Sequence, residues 1–143
     1  MKRINDTIIP LVIADSLSKL DIYDGDFSQM YVRMDSDKIK KEFGTTMWIL
    51  VPNTFQNIIT YSYILPAPTI QEFRNWLSEK HNISYLLEPY HTTKAVKCSN
   101  IFLPTDHKTY YIKSCLDAVW NFEVDAHFEL FRAFISYLIE SFQ

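Results

Sequence analysis

The spacing of apolar residues predicts a helix near each end of this chain. In residues 9–20, apolar side chains fall at positions 9, 12, 13, 17 and 20, which places them on one face of a helix. Pro10 fits the first turn of that helix, where its missing N–H group costs nothing. Residues 125–141 also show helical spacing, so we expect a second long helix there.

A third helix is predicted in the middle of the chain. Thr69 and Glu72 have the spacing of a capping box, in which the hydroxyl and the carboxylate each accept a bond from the other residue's backbone N–H. We expect the helix to continue through Lys80. Its apolar face would consist of Ile70, Phe73, Trp76 and Leu77.

Between the helices, six segments have the composition of strands: residues 28–34, 45–51, 57–65, 83–87, 95–103 and 109–115. The loop of residues 52–56 has hairpin length, so it should join the second strand to the third. Both faces of residues 45–51 are apolar, with Trp48 and Leu50 on one and Ile49 and Val51 on the other. We therefore expect that strand to be central in its sheet.

These elements predict an α+β fold. Helices at both ends and in the middle of a run of sequential strands favour a mainly antiparallel sheet with the three helices packed on it. No internal repeat or low-complexity segment divides the chain, and we expect residues 1–143 to form a single domain.

Composition excludes several functional classes. The chain has 14 Lys and Arg against 17 Asp and Glu, and the net charge of −3 gives nucleic acid and anionic membranes no general attraction. Its two glycines, Gly25 and Gly44, are not clustered as phosphate-binding loops require. At this length a core buries about 68–70% of the chain's surface, so neither a disulfide nor a metal is needed for folding.

The chain also lacks recognisable metal and catalytic motifs. Its four histidines and two cysteines include no short pair of the kind that binds zinc. Cys98 and Cys115 are expected to pack as small apolar groups, and they fit a reducing compartment at least as well as a single disulfide bridge. No G-x-S-x-G motif marks an activated nucleophile. We therefore predict no metal, no cofactor and no catalytic residue.

No segment predicts a membrane span or a signal peptide. The longest uncharged stretch, residues 43–71, is interrupted by Pro52 and by several amides. The apolar run of residues 8–14 is short, contains Pro10 and is flanked by Asp6 and Asp15. The expected location is the cytoplasm, with no membrane partner.

Two regions of the sequence could form a binding site. A tyrosine-rich strand runs towards the central helix, and the loop after residue 88 adds a phenol and an imidazole, so a ligand pocket is predicted at Tyr61, Tyr63, Tyr90 and His91. The region 93–113 carries four lysines among aromatic residues, which could bind single-stranded nucleic acid. Solubilising positions at a sheet edge explain those lysines equally simply, and that interpretation is favoured.

The last helix is apolar over more of its surface than one sheet can cover. One stripe contains Phe131, and a second beside it consists of Leu130, Phe134 and Tyr137. The second stripe could be covered by the first helix of the same chain or by a second copy. We expect a homodimer, since twofold dimers are the commonest assembly.

The central segment resembles a group of small phage and prophage proteins of unassigned function. The resemblance lies in Ala67-Pro68-Thr69 and in Trp76-Leu77-Ser78-Glu79-Lys80-His81-Asn82-Ile83. It extends over about half the chain, whereas residues 122–128 are more aromatic than that pattern. The resemblance implies a mobile-element gene expressed in a bacterial cytoplasm, and it supplies no catalytic residues.

Together these features predict a non-enzymatic phage or prophage accessory protein that acts by protein–protein interaction. The chain contains 10 Phe, 9 Tyr and 3 Trp, and aromatic side chains are enriched at binding surfaces. The alternative is a small-molecule-binding or catalytic domain that uses the predicted tyrosine and histidine pocket.

Overall fold

The computed structural model describes residues 3–20, 24, 27–34, 41, 47–54, 63–91, 94–104 and 110–141. The architecture is α+β, as predicted, with two small antiparallel sheets and helices packed on them. The elements are a 3-10 turn (Ile4–Asp6), α1 (Leu11–Ser18), β1 (Gln29–Met34), β2 (Met47–Pro52), β3 (Tyr63–Ala67), α2 (Ile70–His81), β4 (Ser84–Pro89), β5 (Val96–Phe102), α3 (Tyr110–Cys115), β6 (Val119–Trp120) and α4 (Glu123–Ser141).

The first sheet has the strand order β2-β1-β3, so β1 is central and the prediction of a central β2 is wrong. Tyr31 of β1 pairs with Leu50 on one side and with Leu65 on the other. The predicted β2–β3 hairpin is wrong as well, because β1 separates the two strands. An apolar residue of an edge strand can remain half exposed, as Leu50 does, so an apolar pattern does not by itself identify the central strand.

β3 is the other edge of this sheet, and it contains Pro66 rather than ending before it. An edge strand tolerates proline because one side of the strand makes no backbone hydrogen bonds to a neighbouring strand. Residues 57–62, which were predicted to begin this strand, lie outside the described residues.

The second sheet has the order β4-β5-β6. The predicted strands at residues 83–87 and 95–103 are confirmed, with a bulge after Leu86. The predicted strand at residues 109–115 is wrong, because residues 110–115 form helix α3. Ile112 and Cys115 are three residues apart and both buried, and a helix places such a pair on one face.

Helix α2 follows its sequence signals closely. Thr69 Oγ1 accepts a bond from the N–H of Glu72 at 3.1 Å, and Glu72 Oε1 accepts one from the N–H of Thr69 at 2.9 Å. The helix ends at Asn82, which adopts the left-handed conformation with φ 54°. Its buried residues are those predicted, Ile70, Phe73, Trp76 and Leu77.

The main core lies between the second sheet, α1, α2, α3 and α4, with Leu65 of β3 joining it. Both apolar stripes of α4 point into this core. Phe131 packs edge-on against Phe73, with ring centroids 4.6 Å apart. The ring centroids of Phe134 and Tyr85 are 5.8 Å apart. In the part of the chain described, no helix is long and apolar enough to cross a membrane.

The burial of α4 corrects the predicted interface. Leu130, Phe134 and Tyr137 are buried by the chain itself, so they do not form an exposed stripe for a second copy. The second apolar stripe of α4 is therefore packed inside the molecule. Homodimer formation stays a prediction, now without these residues as its surface.

We expect Phe134→Ala to destabilise the protein as much as Phe131→Ala, by about 3–5 kcal/mol, because each leaves a cavity in a closed core. Urea unfolding measures both values. The control is Phe102→Ala, which removes a half-exposed ring and should change the free energy of unfolding by less than about 1 kcal/mol. A Phe134→Ala protein with wild-type stability would contradict the burial of this residue.

Candidate functional site

A cavity of about 520 Å³ lies where the β4–β5 turn meets the start of α4 and the 3-10 turn. Pro89 ends β4, and the N–H of Tyr90 donates to the carbonyl of Ala95 at 2.9 Å, which closes the turn. The apolar lining consists of Ile4, Leu87, Pro89, Ala95, Val96, Phe122 and Val124. The cavity is therefore an apolar recess formed by three segments that are distant in the sequence.

Phe122 forms the most exposed part of this lining. Its carbonyl accepts the bond from the N–H of Ala126 at 3.3 Å in the first turn of α4. Its ring remains 65% exposed, the largest exposed fraction among the described large apolar residues. Phe122 therefore extends the apolar lining of the cavity to the surface of the molecule.

Three charged residues also line the cavity: Glu88, Lys94 and Glu123. Glu88 and Lys94 are exposed. Glu123 is half-buried, with 42% of its side chain exposed, and it belongs to the first turn of α4. Carboxylates are favoured there because the positive end of the helix dipole stabilises them.

Behind Glu123 lies a buried polar pair. The hydroxyl of Tyr85 is hydrogen-bonded to Nδ1 of His127, and both side chains are almost fully buried. His127 Nε2 has no hydrogen-bond partner among the described residues, and Oε1 of Glu123 lies 3.7 Å from it. Tyr85, His127 and Glu123 thus form a row from the core to the cavity wall.

The row has one favourable arrangement of protons. A lone pair on Nε2 of His127 would face a carboxylate, whereas an N–H group there faces it favourably. Nε2 therefore carries the hydrogen, and the hydroxyl of Tyr85 donates to Nδ1. The imidazole is held in one tautomer by its two neighbours.

Burial keeps both members of the pair neutral. It lowers the pKa of His127 to about 4, with the positive charge of Arg74 as a second cause. Burial also raises the pKa of Tyr85 well above its ordinary value. The guanidinium of Arg74 lies over the Tyr85 ring, 4.6 Å from its centroid, and Nη2 is 3.5 Å from the Tyr85 carbonyl oxygen.

This order of groups differs from that of a hydrolytic triad. In a triad the nucleophile faces the substrate and the carboxylate is buried behind the imidazole. Here the hydroxyl of Tyr85 is buried and the carboxylate of Glu123 is outermost. What the row presents to the cavity is a hydrogen-bond acceptor with negative charge rather than a nucleophile.

Two of the four predicted ligand residues, Tyr90 and His91, are not part of the cavity lining. They lie on the β4–β5 turn, with ring centroids 4.2 Å apart, next to the cavity. Tyr63 belongs to β3 of the other sheet, and its side chain lies outside the described part, as does the whole of Tyr61. The pocket between the sheet and the central helix therefore stays a prediction.

Sequence reasoning missed Tyr85, Glu123 and His127. One signal was present, because Glu123 and His127 are four residues apart and so lie on the same side of α4. The position of His127 among Leu130, Phe131 and Phe134 also indicated burial. Nothing in the sequence connects this helix with Tyr85, which is 42 residues away.

Both cysteines are free, and their burial agrees with the prediction that they pack as small apolar groups. Burial raises the pKa of Cys98 to about 11 and also raises that of Cys115, so both are protonated thiols at neutral pH. Within the described ranges, no group of three or more His, Cys, Asp and Glu side chains could hold a metal ion.

We expect the free energy of unfolding to fall as the pH decreases from about 6.5 to about 4. An unfolded histidine takes up a proton near pH 6.5, whereas folded His127 stays neutral down to about pH 4. The contribution of His127 is therefore complete above pH 6.5, and its loss at pH 4 approaches about 3 kcal/mol. Urea unfolding at several pH values measures the slope.

The matched variants for this slope are His127→Phe and His91→Gln. His127→Phe should be less stable at pH 7, because the Tyr85 hydroxyl loses its partner, but its stability should depend less on pH. His91→Gln changes an exposed imidazole and should keep the wild-type slope. A wild-type slope in His127→Phe would contradict this role.

Comparisons of the chain with protein-family models, with curated proteins and with solved structures found no match. The resemblance to phage and prophage proteins accordingly stays a prediction from the sequence.

Proposed function

We propose that this protein acts by binding rather than by catalysis, and that a small apolar ligand occupies the cavity beside Phe122 and Glu123. The observation that carries the proposal is the lining, which is apolar except for a few charged groups. Ligand sites usually combine such walls with a few polar groups and have volumes of roughly 300–1,000 Å³. A volume of about 520 Å³ is within that range.

The polar groups support binding over catalysis. General acid–base chemistry on a ligand needs a group of suitable pKa that can reach it. His127 and Tyr85 are buried and neutral, and Glu123 separates them from the cavity. Of the three residues in the row, Glu123 is the one that lines the cavity, and its carboxylate can bind and orient a ligand.

The test uses N-phenyl-1-naphthylamine, an uncharged apolar probe that fluoresces when it leaves water. We expect saturable binding to the wild-type protein and a 5- to 10-fold weaker affinity for Phe122→Ser, because removing the ring takes away about 1–1.5 kcal/mol of apolar contact. Fluorescence titration measures both dissociation constants.

Phe102→Ser is the matched control, since Phe102 is also an exposed phenylalanine, at 47%, and is not part of the cavity lining. It should bind the probe as tightly as the wild type. Absence of saturable binding, or equal affinity in Phe122→Ser, would refute the proposal.

A second candidate function is interaction with another protein through the outer face of the second sheet. Phe102 pairs with Ser84 and Leu86 pairs with Asn100, so Leu86 and Phe102 are diagonal neighbours on one face. Leu86 is 51% exposed. This exposed pair favours the protein–protein interaction expected from the sequence, and a phage or prophage origin rests on the resemblance alone.

The same variants distinguish the two functions. A partner protein recovered from a bacterial host with the wild type and with Phe122→Ser, but lost with Phe102→Ser, would assign the partner to the outer face of the sheet. Loss with Phe122→Ser alone would instead place the partner at the cavity.

A further inference from the structure

We infer that the ligand of this cavity is an apolar molecule that carries one protonated amine, and that the carboxylate of Glu123 binds this amine. The inference rests on the proposed function, since it names the chemical class of ligand for the same cavity. It is carried by the position, the charge and the neighbours of Glu123.

Glu123 differs from the other charged residues of the lining. Glu88 and Lys94 are exposed, so water screens their charges and a ligand gains little from pairing with them. Glu123 is half-buried between Phe122 and Val124, and both of these neighbours also line the cavity. A charge beside apolar walls interacts more strongly with an opposite charge than one in open water.

The position of Glu123 favours its negative charge. Glu123 belongs to the first turn of α4, where the helix dipole stabilises a carboxylate, and its Oε1 lies 3.7 Å from Nε2 of His127. The charged residues of the lining are two carboxylates, Glu88 and Glu123, and one ammonium group, Lys94. An anionic ligand would therefore meet a lining with a net negative charge.

No positive charge of the described residues neutralises Glu123. His127 is neutral at pH 7, since burial lowers its pKa to about 4. Arg74 lies over the Tyr85 ring, and no described lysine or arginine is within ion-pair distance of Glu123. A ligand that carries a positive charge would therefore complement the carboxylate of Glu123.

The carboxylate oxygens of Glu123 can accept a bond from a ligand. Oε1 lies 3.7 Å from Nε2 of His127, which is too far for a hydrogen bond, so an ammonium group can donate to this carboxylate. The alkyl part of such a ligand would contact Leu87, Val96 and Phe122. A linear alkyl amine combines one such donor group with an apolar chain.

Three ten-carbon ligands test the inference. Decylamine, 1-decanol and decanoate have the same chain but a positive, a neutral and a negative head at pH 7. Each is titrated, at concentrations where it is monomeric, against the protein holding N-phenyl-1-naphthylamine. We expect decylamine to displace the probe with at least tenfold higher affinity than decanoate, because it gains a charge-assisted bond to Glu123.

Glu123→Gln is the test variant and Glu79→Gln is its matched control. Glutamine has nearly the size and shape of glutamate, so the fold and the probe affinity should be preserved in Glu123→Gln, and circular dichroism checks the fold. We expect about a tenfold loss of decylamine affinity in Glu123→Gln, with 1-decanol unchanged. Glu79→Gln removes an exposed carboxylate outside the cavity lining and should keep the wild-type decylamine affinity.

The results separate the two proposals. If the probe does not bind at all, the cavity is not a ligand site and both proposals fail. If the probe binds but Glu123→Gln leaves decylamine affinity unchanged, or decanoate binds best, the amine inference fails while the apolar binding site stands. A decanoate preference that disappears in Lys94→Gln would make Lys94 the anchor and the ligand an anion.

Discussion

The hydrogen bond between Tyr85 and His127 connects the second sheet with the last helix inside the core. The Tyr85 ring also packs near Phe131 and Phe134, and the guanidinium of Arg74 from α2 covers it. A buried hydroxyl or imidazole without a partner costs about 1–3 kcal/mol, so this pair allows only arrangements in which β4 and α4 meet at this point. The polar contact thereby selects one packing among many apolar ones.

The same contact determines where α4 begins relative to the β4–β5 turn. His127 is one turn into the helix, so positioning it against Tyr85 places Glu123 and Phe122 beside Leu87 and Pro89. The cavity exists because these segments meet there without filling the space between them. A hydrogen bond in the core and an apolar recess at the surface are therefore two results of one packing arrangement.

In this region, the charge of each side chain follows from how deeply the side chain is buried. Tyr85 and His127 are buried and neutral, whereas Glu123 at the cavity wall carries its charge where water or a ligand can reach it. Burial penalises charge, so the ionised group of the row is the one nearest the surface. This gradient places a charged carboxylate at the cavity wall and leaves the phenol of Tyr85 buried behind it.

The sequence by itself determined the elements whose signals are local. The capping box at Thr69 and Glu72, the apolar face of α2 and the existence of α4 depend on bonds and contacts between residues within a few turns, so their pattern is sufficient. The start of α4 was predicted two residues too late, since the helix begins at Glu123. The α+β class follows from the order of those elements.

Only the tertiary structure decided the strand order β2-β1-β3, the helical state of residues 110–115 and the pairing of Tyr85 with His127. The apolar pattern of β2 shows that its side chains avoid water, but not which strand lies beside it. In the same way, the second apolar stripe of α4 indicates that these side chains must be buried. Only the packed core shows that they are buried by the same chain rather than by a second copy. Contacts between residues distant in the sequence leave no local pattern, because the free energy that selects them comes from the packing of the whole core.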